Sequence, residues 1–272
     1  MRLIGRVATS IGWRYRLWAW GDHPRVGNKF VNRDPAMTTP IVLKLMALGR
    51  YEEPERRLLA YMHSRGHIGK GDRVLEAGGG LGTMTMHIAD IVGDDAIVVF
   101  EPNPRTAKAL CANLALNGHH VAVEVAALTA VPSDEIRFAD AIDIGGFAVS
   151  GTHCGSSEAT IISVRAETLA DAIARIDPTV LVLDVEGAEY DLLTSVTAWA
   201  RVHSIHLEIH PNALSPDQID EMFECVGEYG FHRLDTPDFG GNIVLLSRSR
   251  RAAAAEPPNA RPSDESRLRQ LR

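Results

Sequence analysis

The chain has 272 residues, 45% of them hydrophobic and 23% charged, with a formal net charge of -7. That composition supplies one sizeable core and the wrong sign for a nucleic-acid partner, whose phosphates call for a basic face. Cys111, Cys154 and Cys225 stand far apart and match no metal-ligand spacing, which excludes a disulfide framework or zinc site as readings and points to a cytoplasmic protein. No apolar run approaches the roughly 18 to 20 residues that span a bilayer.

The first element is a basic, aromatic arm, residues 1–44. Leu3, Ile4, Val7, Ala8 and Ile11 fall at helical spacing, with Arg2, Arg6, Arg14 and Arg16 beside Trp13, Trp18 and Trp20. Three uses fit it: an arm packed on the domain, a peripheral contact with a membrane surface, or a substrate lid. Gly5, Arg6 and Gly12 interrupt the apolar core that a secretory signal needs.

From residue 45 to 247 strand and helix alternate. "RVLEA" (73–77) predicts a strand, followed by a helix with Leu81, Met84, Ile88 and Ile91 on one face. "AIVVFE" (96–101) is the second strand. Asn103 as cap, Pro104 as first helical residue and the stop "NG" at 117–118 bracket the next helix. "VAVEV" (121–125) is a third strand, and an irregular stretch follows. "TLADAIARI" then reads as a helix, "VLVLDV" (180–185) as a buried strand and "SIHLEIH" (204–210) as another. Ser215, Pro216 and Gln218 carry a capping box that starts the last helix, and Gly230 ends it. Segments around "HRLD" and "NIVLLS" close a seven-stranded, mostly parallel sheet covered by helices on both faces, an α/β fold. The remainder, 248–272, has the composition of a disordered tail.

Ligands of such sheets bind beyond the carboxyl ends of the strands. There "VLEAGGGLG" places Gly78, Gly80 and Gly82 behind Glu76, so a ligand can approach bare backbone. The dinucleotide spacing G-x-G-x-x-G fails, since counting from Gly78 its last position is Thr83. Glu76 would also repel a pyrophosphate. The carboxylate suits a cationic ligand such as S-adenosylmethionine, whose enzymes use E-x-G-x-G-x-G. Glu101, ending the second strand, is placed to accept hydrogen bonds from ribose hydroxyls, a role that dinucleotides share.

At the fourth strand "LVLDVEGAEYDLL" gathers Asp184, Glu186 and Glu189 at the same edge, a crowding that is costly unless a cation or proton is shared. Taken together, "EAGGGLG", "EPNP" and "DVEGAE" resemble the FkbM-like family of S-adenosylmethionine-dependent methyltransferases, which reads D-x-G-A-N-x-G, E-P-x-P and D-V-E-G-A-E at these places. "GRYEEPE" (49–55) and "LEIHP" (207–211) resemble it too, and the likeness runs in order over residues 45–247. It implies a class I methyltransferase Rossmann-like fold, S-adenosylmethionine held by Glu76, Gly78, Gly80, Gly82, Glu101 and Asp184, and methyl transfer to a hydroxyl of a sugar, glycan or secondary metabolite. The sequence departs from the family at Gly79 and Gly80, where Ala and Asn are usual, at Glu76 for Asp, and at Val182, where a lysine is common.

A hydroxyl acceptor must lose its proton. The candidate catalytic residues are His210 and Glu208, at the end of the fifth strand, then Glu186 and Asp184. A histidine base would titrate near its ordinary pKa of about 6.5. No metal is assigned, although Asp184, Glu186 and Glu208 offer the oxygen ligands that Mg²⁺ takes. Tyr51 and Glu52 are read as packing residues, with reach over the cleft as the alternative; His87, His119, His120 and His153 are read as surface. A nucleotide-dependent oxidoreductase and a non-catalytic protein keeping the cofactor fold are the competing readings. A nucleic-acid amino-methyltransferase would carry an N-P-P-Y-like turn where "DVEG" stands.

Overall fold

The computed structural model describes residues 12–33, 38–140, 160–240 and 242–250. Helix α1 (12–20) leads into a two-stranded hairpin, β1 (Arg25–Val26) and β2 (Lys29–Phe30), and then α2 (Pro40–Leu48), capped by the Thr39 hydroxyl. Next come α3 (Glu53–Ser64), β3 (Val74–Ala77), α4 (Thr83–Val92), β4 (Ile97–Phe100), α5 (Pro104–Leu116) and β5 (Ala122–Glu124). Three strands follow, β6 (Ala127–Thr129), β7 (Glu135–Asp140) and β8 (Thr160–Thr168). The chain continues through α6 (Leu169–Ile176), β9 (Val180–Leu183), α7 (Glu189–Ser195), β10 (Ser204–Glu208), α8 (Pro216–Glu228), β11 (His232–Arg233) and β12 (Ile243–Ser247).

Seven strands form one sheet in the order β11-β12-β10-β9-β3-β4-β5, parallel from β10 through β5 and antiparallel at β12. Alternate strand residues feed two cores. Leu75, Leu181, Leu183, Val244 and Leu246 pack with α6, α7 and α8, while Val74, Val180, Val182 and Leu245 pack with α3, α4 and α5. Apolar side chains on both faces are what a parallel sheet covered by helices requires. Val182, where the family often has lysine, lies 4% exposed in the second of these cores.

The stretch read as irregular is a second sheet, with β6 parallel and β7 antiparallel to β8. It joins the main sheet through Ala126 and Leu128, which pack in the first core, and through Glu124 at the end of β5, which accepts from both Arg165 of β8 and Arg175 of α6; these also reach Glu167.

The arm does not end cleanly at residue 44, because α2 runs across that point. Val26 and Val31 are buried against Leu81 and Met46, and Lys29 Nζ lies 2.6 Å from Asp90 Oδ1. Residues 24–33 are thus packed on the domain. Along α1, Tyr15 and Trp18 stay 64% and 76% exposed. The arm's residues 1–11 lie outside the described residues, as do 251–272 of the tail and His153. Among the described residues no helix is long and apolar enough to cross a membrane. Arg248 and Arg250 belong to the packed domain: Arg248 Nε donates to Val202 O, and Arg250 Nη2 reaches Asp72 Oδ2. His120 is exposed, as expected, but His119 is largely buried between Lys29, Asp90 and Asp94, and the Nε2 of His87 is enclosed.

Asp72 pins the amino ends of β3, β9 and β10. Its carboxylate accepts from Gly69 N, Thr179 Oγ1 and Arg250 Nη2, and pairs with His203 Nε2 at 3.1 Å. Burial alone would raise its pKa; the hydrogen bonds from His203 and Thr179 outweigh it and hold the group at about 2. Because the folded pKa lies below the unfolded one, this stabilisation is complete above about pH 4 and is lost as pH falls towards 2. Asp72→Asn is expected to lower stability in urea at pH 7 by about 2 kcal/mol. The gap from wild type should narrow below pH 4, and a gap that persisted unchanged would refute the assignment.

Candidate active site

The last fully paired row of the parallel strands is Ala77, Phe100, Leu183 and Leu207. One residue further on stand Gly78, Glu101, Asp184 and Glu208, so register alone brings four chemically active positions to one edge. The chain order reverses between β3 and β9, which opens a crevice there. The two loops meet closely: Asp184 N donates to Ala77 O, and a Cβ on Gly78 would stand 1.8 Å from Asp184 O. Only glycine fits, and its φ of +88° also favours glycine.

A cavity of about 300 Å³ opens at this edge. Gly78 and Gly80 line it, as do Glu52, Glu101, Asp184 and Glu186, with no lysine, arginine or histidine among the described residues of the wall. Four carboxylates without a cation disfavour a pyrophosphate and favour a positively charged ligand. Ala126, Ala127, Leu128 and Ile136, from the second sheet and the turn before it, supply an apolar wall.

Glu101 is held rigidly. Its Oε2 accepts from Gly80 N and its Oε1 from Asn103 N, leaving further lone pairs for ligand hydroxyls. Burial pushes its pKa up to about 7, against the pull of those two amides. Glu76 does not line the cavity. It is 2% exposed within β3, burial raises it to about 8, and its Oε2 has no hydrogen-bond partner. Gly82, at φ +77°, starts α4 and faces Leu110 instead of the cavity.

Tyr51 and Glu52 line the cavity, so reach over the cleft is what the structure shows. Glu52 adopts φ 48° immediately before α3, and Thr83 Oγ1 at the start of α4 donates to its carboxylate. Burial raises Glu52 to about 7. Glu186, at φ 52°, is a second strained residue on the cavity wall.

Behind Asp184 and Glu186 lies His210. Its Nδ1 is 2.6 Å from Glu189 Oε1, and its Nε2 is 3.3 Å from Glu186 Oε2 and 3.6 Å from Asp184 Oδ1. Glu189 is fully buried and also accepts from Gly187 N. Burial disfavours the imidazolium, but the Glu189 hydrogen bond and the charges of Glu186, Glu189 and Asp184 prevail and raise His210 to about 9. The imidazole is therefore a cation at neutral pH, not a group titrating near 6.5. Burial, then neighbouring Glu208 and Glu186, drives Asp184 well above the carboxylate range; burial and Glu55 lift Glu208 to about 7. Neither Glu208 nor His210 lines the cavity, whereas Asp184 and Glu186 do.

The order of the seven strands and a glycine-turned, carboxylate-lined crevice at their reversal define a class I methyltransferase domain. The chain belongs to the FkbM methyltransferase family, whose model, described as "Methyltransferase FkbM domain", matches residues 77–233, more than half its length. Its class is S-adenosylmethionine-dependent methyltransferase. None of the curated proteins matches. Similar solved structures include ribosomal protein L11 methylase from Lactobacillus delbrueckii subsp. bulgaricus, at 11% identity and TM-score 0.42 over 74% of this chain and 81% of that one. An S-adenosylmethionine-dependent O-methyltransferase from Thermotoga maritima gives 13%, 0.41, 71% and 64% in the same order. Aeropyrum pernix fibrillarin with natively bound S-adenosylmethionine gives 12%, 0.41, 71% and 75%. Likenesses this distant decide nothing about substrate or chemistry.

Proposed function

We infer that the protein transfers a methyl group from S-adenosylmethionine to a hydroxyl oxygen of a sugar, a glycan or a hydroxylated secondary metabolite. The observation that carries this is the placement of Asp184 and Glu186 on the cavity wall with the His210 imidazolium behind them, itself fixed by buried Glu189. When bound, the cofactor supplies an electrophilic methyl group on a cationic sulfur. Glu101 and the Gly78–Gly80 turn would hold its ribose and amino-acid end, with Glu76 beneath. Much of the rate then comes from alignment, worth up to roughly 7 to 11 kcal/mol in well-oriented systems.

Proton removal is what a hydroxyl adds to the task. Glu186 and Asp184 are better placed than His210 and Glu208 to touch an acceptor, because only they face the cavity. Burial raises Glu186, and the nearby imidazolium pulls it back down. A carboxylate made more basic by burial suits general-base work. The His210 charge offsets the crowding of Asp184, Glu186 and Glu189. The turn after β9 reads Asp184, Val185, Glu186, Gly187, with none of the N-P-P-Y chemistry suited to a nucleobase amine.

The test is transfer of labelled methyl from S-adenosylmethionine to a panel of hydroxylated sugars, glycolipids and polyketides, with amines and carboxylic acids as comparison. Ether-linked label that survives mild alkali is the expected product. Label confined to amines, or released by alkali as from an ester, would replace the hydroxyl acceptor.

A further inference from the structure

We propose that Asp184, Glu208 and His210 form a binding site for one divalent cation of the Mg²⁺/Mn²⁺ type, held beside the cavity so that the acceptor hydroxyl completes its coordination. One ligand atom from each of the three lies within 4.8 Å of the others. Ions of this type bind oxygen and imidazole nitrogen at roughly 2.0 to 2.2 Å, which puts neighbouring ligands about 3 to 4 Å apart. Small side-chain movements would close the set. The residues come from two adjacent strand ends, Asp184 after β9 and Glu208 with His210 at β10, so the sheet fixes their spacing.

Two further observations point to a cation. The first is the histidine: Nδ1 is engaged by Glu189, whose side chain is 0% exposed, and this directs Nε2 towards Asp184 and Glu186. A carboxylate that fixes one ring nitrogen so that the other faces the ion is the usual outer support of a metal-binding histidine. The second is a set of unmet acceptors. Asp184 Oδ1 is enclosed and makes no hydrogen bond, and the same holds for Glu189 Oε2 and for Glu55 Oε2, in the carboxyl group that neighbours Glu208. Among the described residues no lysine or arginine forms an ion pair with Asp184, Glu186, Glu189 or Glu208. Among the same residues His210 is the one basic side chain paired with Asp184, Glu186 and Glu189, and a metal ion binding at Nε2 would take the place of the proton that this nitrogen carries when no ion is bound. One imidazole with two carboxylates, the other positions left to water and hydroxyl, favours oxygen-preferring ions over thiophilic ones.

The inference rests on the hydroxyl-acceptor reading and deepens it. An acceptor oxygen bound to the cation would release its proton more readily, and Glu186, on the cavity wall but outside the ligand set, takes that proton. The oxygen then forms its bond to the methyl carbon as the carbon–sulfur bond breaks, and the electron pair of that bond stays on sulfur.

The experiment is Mn²⁺ binding to the full chain, stripped with chelator, followed by calorimetry and electron paramagnetic resonance without cofactor or acceptor. One saturable site below about 1 mM is expected. Asp184→Asn, Glu208→Gln and His210→Ala should each weaken it tenfold or more, with circular dichroism confirming the fold. Glu189→Gln, which keeps every ligand, should weaken it about 10- to 100-fold. Absence of a saturable site, a site unaffected by His210→Ala and Glu208→Gln, or Zn²⁺ binding without Mn²⁺ binding would overturn the proposal. Chelator should also stop methyl transfer, and Mg²⁺ or Mn²⁺ should restore it. Transfer that withstands chelator would sink the cation's catalytic role and spare the methyltransferase; Mn²⁺ binding without transfer to any hydroxyl would do the reverse.

Discussion

Gly78→Ala is expected to abolish cofactor binding and to destabilise the domain by about 3 kcal/mol or more, through overpacking and a strained backbone together. The added carbon would meet backbone, not a flexible side chain: Asp184 O at 1.8 Å and Asp184 C at 2.9 Å. The crevice can accept it only by separating the loops after β3 and β9, the two that carry the cavity. Gly80→Ala is the matched control. Nothing lies within 4 Å of a Cβ there, so in stability only the cost of its φ of +52° remains, about 1 kcal/mol. Urea denaturation and calorimetric titration of both variants decide the matter. If Gly78→Ala bound S-adenosylmethionine as well as wild type does, or were no less stable than Gly80→Ala, the close approach of the loops would not be what shapes the site.

His210→Ala is expected to lower the rate of methyl transfer by about 100-fold or more while leaving cofactor affinity within about twofold. His210 does not line the cavity, so it has little to lose in binding. Its positive charge, however, faces Asp184 and Glu186 at 3.6 and 3.3 Å. Without it nothing opposes the burial that already raises both carboxylates, and Glu189 is left buried without its partner. Single-turnover kinetics beside cofactor titration separates the two effects. Wild-type turnover in a folded variant would remove His210 from the chemistry.

The central strands of the main sheet were legible because each is short, apolar and bounded by glycine, proline or a capping residue. The capping box at Ser215 and Gln218 and the cap at Asn103 with Pro104 appear as read. The second sheet was passed over although β8 carried a signal: Ile162, Val164 and Ala166 alternate with Ser163, Arg165 and Glu167. Its partner β7 is separated from it by 19 residues, and no periodicity spans such a gap. At the site, Gly78 and Glu101 could be placed from sequence because glycine and a strand-end carboxylate have strict backbone reasons to be there. Glu52 could not, since its position over the glycine turn depends on a left-handed residue before Pro54 and on the packing of α3 against α4. The pairing of Glu189 with His210 joins residues 21 apart through the register of β9 and β10, and that register set the imidazole's charge. Residue type alone suggested a neutral base.

The central claim is that the acidic cavity receives S-adenosylmethionine through Glu101. Calorimetric titration of the purified chain with S-adenosylmethionine, its demethylated product and NAD tests it most directly, in wild type and in Glu101→Ala. One site for the first two ligands and none for NAD is predicted, with Glu101→Ala weakening both about tenfold or more through loss of a charged hydrogen-bonding partner worth roughly 1.5 to 3 kcal/mol. Binding of NAD without S-adenosylmethionine, or unchanged affinity in a folded Glu101→Ala variant, would contradict it.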